Sequence, residues 1–267
     1  MCISCGCSPT SGHSHDHHHS HSHEHDHDNN SHQHKTDKTR KIIIEEDLLA
    51  KNNRLAAFNR ALFREKGILV LNLVSSPGSG KTTILEKTLL DISKYLRCAV
   101  IEGDQQTDND ACRIAATGVP VKQINTGAGC HLDAHMVMHA TEVFDLDNLD
   151  ILFIENVGNL VCPAAFDLGE HHKVVVLSVT EGEDKPQKYP QMFHNSSLML
   201  LNKTDLLPYL DFDLQKCRQY ADQVGHNLQI IETSATKGDG LDIWYKWLEK
   251  ESAFVKDPIR QGEATNV

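Results

Sequence analysis

The sequence predicts an α/β fold, a mostly parallel, doubly wound sheet preceded by a Cys- and His-rich arm. Three observations predict it. Seven short apolar runs, most of them continuous in Val, Ile and Leu, alternate with stretches of helical periodicity, the pattern of strands covered by helices on both faces. The first run leads directly into the Gly/Ser turn Ser75-Ser76-Pro77-Gly78-Ser79-Gly80-Lys81-Thr82, with a helical pattern after it. Residues 1–40 are mostly Ser, His, Asp, Asn, Gln and Lys without apolar periodicity, so they have no core to offset the entropy of ordering.

Taken in order, residues 1–40 read as a disordered metal-binding arm, 41–254 as the folded domain with an N-terminal helix, and 255–267 as a loose tail. From Ile42 to Lys66 the residues Leu48, Leu49, Leu55, Ala56, Phe58, Leu62 and Phe63 recur at near-helical spacing and stop before Gly67, predicting an amphipathic helix that packs on the rest of the domain. Strands are predicted at Ile68–Val74, Cys98–Glu102, Val119–Ile124, Ile151–Glu155, Val174–Val179, Leu198–Asn202 and Gln229–Glu232. Helices are predicted at Thr82–Tyr95, Thr107–Thr117, His131–Phe144, Leu214–Val224 and Leu241–Lys250.

Among the 267 residues, 26 basic and 37 acidic side chains give a net charge of −11, which argues against a nucleic-acid partner. No apolar run approaches the roughly 20 residues of a membrane helix, so no membrane span is expected. The N-terminus lacks a basic and then apolar leader pattern, which points to the cytoplasm, where the eight Cys stay reduced and clustered thiols serve as metal ligands.

The Ser75–Thr82 turn is the phosphate-binding pattern G-x-x-x-x-G-K-[ST] with Ser at the first Gly position. Gly78, Ser79, Gly80 and Thr83 bring backbone N–H groups toward phosphate oxygens at a helix start. Lys81 adds charge at the β and γ phosphates, and Thr82 is placed to hold Mg²⁺. Asn202-Lys203-Thr204-Asp205 closes a later strand and Ser234-Ala235 the last one. A carboxylate at Asp205 would accept from N1–H and the exocyclic amine of guanine, which adenine does not offer. At about 1.5–3 kcal/mol per charge-assisted bond, that selects GTP by roughly two to four orders of magnitude. Asp104, after the second strand, is the first choice for ordering Mg²⁺ or the attacking water, with Glu155 second; Glu155-x-x-Gly158 stands where D-x-x-G is usual, and no Gln follows.

Two sets of soft ligands stand out. Cys2, Cys5 and Cys7 lie within six residues, with Gly6 allowing them to converge; thiolates with amine or amide nitrogen suit Ni²⁺, thiolates with His suit Zn²⁺. Of the 18 His, 11 fall between His13 and His34, interleaved with Ser, Asp and Glu, a mobile metal reservoir rather than a homopolymeric tag. Inside the domain, Cys130-His131 and Cys162 follow strands at the carboxyl edge of the sheet, while His135 and His139 share a helix face as ligands or as surface.

With Cys2-x-x-Cys5-Gly6-Cys7, the Ser75–Thr83 loop, Glu102–Asp108, Gly129-Cys130-His131-Leu132, Glu155–Pro163 and Asn202–Asp205 in colinear order, the chain resembles the hydrogenase nickel-incorporation GTPase family (HypB). The resemblance implies a P-loop NTPase sheet of the SIMIBI-type G domain and a GTPase that forms a homodimer on GTP binding. It implies delivery of Ni²⁺ to the large-subunit precursor of [NiFe] hydrogenase beside a nickel-delivery accessory protein. It also implies a tight nickel site at Cys2, Cys5 and Cys7 and a weaker Ni²⁺/Zn²⁺ site at Cys130, His131 and Cys162. A metal storage protein with incidental hydrolysis and a urease-accessory-type GTPase are the competing readings.

Overall fold

The computed structural model describes residues 31–225 and 227–257, with side chains from residue 46 onward. Cys2, Cys5, Cys7 and His13–His27 therefore lie outside the described residues, as does 258–267 of the tail. The element order is α1 (Ser31–Glu65), β1 (Leu69–Ser75), α2 (Lys81–Ile92), β2 (Cys98–Asp104), α3 (Asn109–Ala115), β3 (Val121–Asn125), α4 (Ala134–Thr141), β4 (Ile151–Glu155), α5 (Cys162–Ala165), β5 (His172–Ser178), α6 (Lys185–Lys188), α7 (Pro190–His194), β6 (Leu198–Asn202), α8 (Leu214–Val224), β7 (Gln229–Glu232) and α9 (Leu241–Lys256). Helix α1 begins at Ser31, inside the stretch read as arm. Gln33, Lys35, Lys38 and Arg40 are good helix formers, and an anchored helix propagates into such a segment without apolar residues.

The seven strands form one sheet in the order β3-β2-β4-β1-β5-β6-β7, and every pairing among the described residues is parallel. Alternation along β1 divides its side chains between two cores. Leu69, Leu71 and Leu73 pack with Ile84, Leu85 and Leu89 of α2 and Trp244 and Leu248 of α9. Val70 faces the other way, with Phe63 of α1 and Val137 and Ala140 of α4. On that second side, Val175, Leu177, Met199 and Leu201 bury against Met192 and Phe193 of α7 and Cys217 and Ala221 of α8. Both faces are covered, which is why the strands read as continuous apolar runs. Chain order reverses about β1, so its carboxyl end is the crevice where ligands of such sheets bind.

Helix α1 packs on the domain, but only partly by the stripe its apolar residues predict. Asn52, Ala56, Asn59 and Phe63 are buried, whereas Leu48 and Phe58 are 56% and 59% exposed. The two Asn face inward because they satisfy loop backbone: Asn59 Nδ2 donates to Ala134 O and Leu168 O at 2.9 and 3.0 Å. Asn52 donates to Asp167 O at 2.8 Å and accepts from Ala134 N at 2.9 Å. Arg60 Nη2 adds an ion pair, donating to Asp167 Oδ1 and Oδ2 at 2.6 and 2.7 Å. Helix α1 thus pins the start of α4 and the loop before β5.

Candidate functional site

At the carboxyl end of β1 the chain turns sharply into α2. Gly80 takes φ 95°, and Gly78 φ 75°, conformations that L side chains rarely adopt. A Cβ on Gly80 would also strike the Asn202 amide, which donates to Ser79 O at 2.9 Å. Lys203, with φ 63°, donates from Nζ to Gly78 O at 2.7 Å. The loop after β6 therefore buttresses the loop after β1. A cavity of about 510 Å³ opens here, lined by residues 75–83, 102–105, Asp110, Arg113, 156–158 and Lys203.

Lys81 Nζ and Thr82 Oγ1 both donate to Glu155 Oε1, at 2.9 and 2.5 Å. Ser79 Oγ, Glu102 Oε2 and Glu155 Oε2 are buried around this cavity without a hydrogen-bond partner among the described residues. Native proteins rarely tolerate that, and it fits a site whose partners arrive with a ligand rich in oxygen and a hard cation such as Mg²⁺. Asp104 Oδ2 accepts from Thr107 N and Oγ1 at 2.9 and 2.8 Å; burial pushes its carboxyl up, and those bonds outweigh burial and hold it below the usual range. Glu102, 2% exposed and in register with Glu155, is pushed up to about 8 by burial and then by the charges of Glu155 and Asp104.

Asp205 and Ser234 do not line that cavity. They meet each other, Ser234 Oγ donating to Asp205 Oδ1 at 2.6 Å, while Ala235 N donates to Asn202 Oδ1 at 3.2 Å. The Asn202–Asp205 and Ser234-Ala235 segments, 29 or more positions apart, thus form one corner beside the phosphate loop.

Cys130, His131 and Cys162 each offer a ligand atom within 4.8 Å of the others. Asp133 caps α4 by accepting from Met136 N at 2.8 Å, so the helix starts at Ala134 rather than at His131. That leaves Cys130 and His131 on the preceding turn. The Phe166 ring packs against His131, tilted by 40° with centroids 3.9 Å apart, and burial pushes His131 down despite Asp133 nearby, which favours the neutral imidazole a metal needs.

The turn that carries these ligands is tied to the nucleotide-type cavity. Asn156, which lines the cavity, accepts from Leu132 N at 3.1 Å and from Val157 N at 3.0 Å, and donates to Asn72 Oδ1 at 3.2 Å. Gln105 Nε2 donates to Gly129 O at 3.0 Å. Leu132 packs so closely on Gly103 that a Cβ there would lie 2.8 Å from it. Glu102, Arg113 and Asn156 are not among the site residues the sequence predicts. Glu102 was legible, since alternation along β2 puts it on the side of Asp104. Arg113, which binds Glu86 Oε2 at 2.7 Å and Thr83 Oγ1 at 3.2 Å, looks like any charged helix residue.

Residues 69–232 match the family model for the CobW/HypB/UreG nucleotide-binding domain. Among curated proteins, the hydrogenase maturation factor HypB of Escherichia coli is 63% identical over 212 residues, covering 79% of this chain and 73% of that protein. The HypB of Azotobacter chroococcum is 62% identical over 216 residues, 80% of this chain and 70% of that one. Among solved structures, HypB from Helicobacter pylori in complex with nickel superposes with a TM-score of 0.73 at 37% identity, covering 76% of this chain and 95% of that one. HypB from Archaeoglobus fulgidus gives 0.72 at 38%, covering 76% and 99%.

Proposed function

Because the chain belongs to the HypB hydrogenase maturation factors of the CobW/HypB/UreG nucleotide-binding family, we propose that it hydrolyses GTP to control the holding and release of Ni²⁺ for [NiFe] hydrogenase. The observation that carries this reading is the tie through Asn156 between the phosphate-loop cavity and the Cys130/His131/Cys162 cluster. In the proposed cycle, residues 78–83 cradle the phosphates. Asp205, oriented by Ser234, reads guanine, with Asn202, Lys203 and Ala235 framing the base corner. Lys81 exchanges Glu155 for phosphate oxygen, which releases Glu155 beside Thr82.

Thr82 and Asp104 would hold Mg²⁺, which when bound neutralises charge developing on the phosphates. Asp104 stays ionised through its Thr107 bonds, so it is ready as a charged ligand or water-orienting group. A shift of residues 155–158 with the γ-phosphate moves Asn156 and so the Leu132 N–H it holds, changing the geometry at Cys130 and His131. Two thiolates with one imidazole take Ni²⁺ or Zn²⁺. Three protein ligands leave room for a donor from a partner copy, consistent with a GTP-linked homodimer that passes metal to the hydrogenase large-subunit precursor beside a nickel-delivery accessory protein. Cys2, Cys5 and Cys7 would be the tighter nickel site.

The place of action is proposed as the cytoplasm; among the described residues no helix is long and apolar enough to cross a membrane. The test is complementation of cells lacking this chain, paired with phosphate release by the purified protein. Lys81→Ala is expected to lose phosphate release and hydrogenase activity together. Cys130→Ser/Cys162→Ser is expected to keep phosphate release and lose hydrogenase activity at limiting nickel. Full hydrogenase activity from either variant would refute the reading.

A further inference from the structure

Two polar residues interrupt the apolar strands at the centre of the sheet: Asn72 on β1 and Lys173 on β5, which are register partners. Both are buried, as is Glu170 just before β5. Burying such groups costs free energy unless each finds partners, so the partners identify what is held. Lys173 Nζ donates to Pro163 O at 2.8 Å, Phe166 O at 3.3 Å and Ala164 O at 3.4 Å, three carbonyls for the three hydrogens of an ammonium. Pro163 and Ala164 belong to α5, whose first residue is Cys162; Phe166 follows it and packs its ring on His131. A four-residue helix is too short to fix its own geometry, so the grip of Lys173 from behind sets it. Glu170 reaches the other half of the cluster. Its Oε1 lies 3.8 Å from Lys173 Nζ and accepts from Asn72 Nδ2 at 3.0 Å. Asn72 Oδ1 accepts from Asn156 Nδ2 at 3.2 Å, and Asn156 Oδ1 from Leu132 N, next to His131, at 3.1 Å.

We propose that the buried Lys173–Glu170 pair positions the metal cluster, with Lys173 as the residue that sets the Cys162–Phe166 segment against the Cys130-His131 turn. This rests on the reading that Cys130, His131 and Cys162 hold Ni²⁺. One pair grips both halves of the ligand set, so the spacing of the thiols is governed by side chains outside that set. An apolar pair of similar volume would fill the same space but offer no donors to the three carbonyls. Ligands left free to drift bind metal less tightly.

The test uses the full-length chain with Cys2, Cys5 and Cys7 replaced by Ser, read with GDP bound by thiolate-to-Ni²⁺ charge-transfer absorption. Lys173→Met/Glu170→Gln removes both charges together, so no unpaired buried charge remains. It is expected to keep GDP affinity, to change the band's intensity and to weaken Ni²⁺ binding about tenfold, a size usual for groups that orient a ligand from behind. Val174→Ala, at the next position of β5 but packed into the opposite core, loosens the same strand from its other face and should keep the parent's band and affinity. A second readout needs no substitution at 173. In the arm-substituted chain the Lys173 Nζ nitrogen signal should shift as Zn²⁺ fills the cluster, and should stay put when Cys130→Ser/Cys162→Ser is added. The proposal is overturned if Lys173→Met/Glu170→Gln binds Ni²⁺ as the parent does, if Val174→Ala weakens binding as much, or if the Lys173 signal ignores Zn²⁺. An absent band in the parent would overturn the cluster reading itself, and this proposal with it.

Discussion

Replacing Asn156 by Ala probes the link between the two sites. The side chain is 1% exposed and makes three hydrogen bonds, to Leu132 N, Val157 N and Asn72 Oδ1. Truncation orphans three buried groups, each worth about 1–3 kcal/mol. The lost amide leaves space near a water's volume, so the low end applies, and urea unfolding should show a loss of about 3 kcal/mol. The more telling readout is metal affinity. With Cys2, Cys5 and Cys7 replaced by Ser, thiolate-to-Ni²⁺ charge-transfer absorption reports the Cys130/His131/Cys162 cluster. The parent's affinity should differ between GDP and a non-hydrolysable GTP analogue by roughly 5–150-fold, the usual range for linked sites. In Asn156→Ala, folded by circular dichroism, the ratio should approach one. A ratio equal to the parent's would refute the argument that Asn156 carries the nucleotide state to Leu132 and its neighbours.

Three further predictions concern the base corner and the buried carboxylates. Asp205→Asn keeps a partner for Ser234 but loses the charge that accepts from guanine, so GTP affinity by fluorescent-nucleotide displacement should fall by roughly two to four orders of magnitude while ATP affinity barely changes. Glu102, pushed up to about 8, stays protonated in the folded chain while the unfolded chain ionises near 4.3. Folding stability is therefore fully kept below about pH 4 and eroded as pH rises toward 8. Glu102→Gln should be more stable than the parent at pH 8 by about 1–3 kcal/mol, with the gap closing at pH 5 in urea titrations. Asp150 accepts from Arg97 N, Nε and Nη2 at 2.7, 3.0 and 2.8 Å and from Lys256 Nζ at 2.7 Å. The Arg97 bonds foremost hold its carboxyl far below the ordinary range. Its contribution is present above about pH 4 and lost as pH falls through the folded value. Asp150→Asn should cost about 1–3 kcal/mol at pH 7, and the difference in thermal midpoint should shrink below pH 4.

The α/β class was legible in the amino-acid order alone, because strands buried on both faces must be apolar at nearly every position, as Ile151–Glu155 and Leu198–Asn202 are. The phosphate loop was legible too, since the positive φ of Gly78 and Gly80 strongly favours glycine, and a signal fixed by local conformation can be read locally. Which residues stand together was decided only once the chain packed. Asn52 and Asn59 look like solvent-facing polar residues, yet they are buried because the carbonyls they satisfy come from Ala134, Asp167 and Leu168. The short helix at Cys162–Ala165 is too brief for periodicity to register. The convergence of Cys130, His131 and Cys162, the hold of Asn156 on Leu132 and the pairing of Glu102 with Glu155 across β2 and β4 each join segments tens of residues apart. Such contacts arise from the order in which strands enter the sheet, and that order is settled by burial of the whole chain rather than by any local pattern.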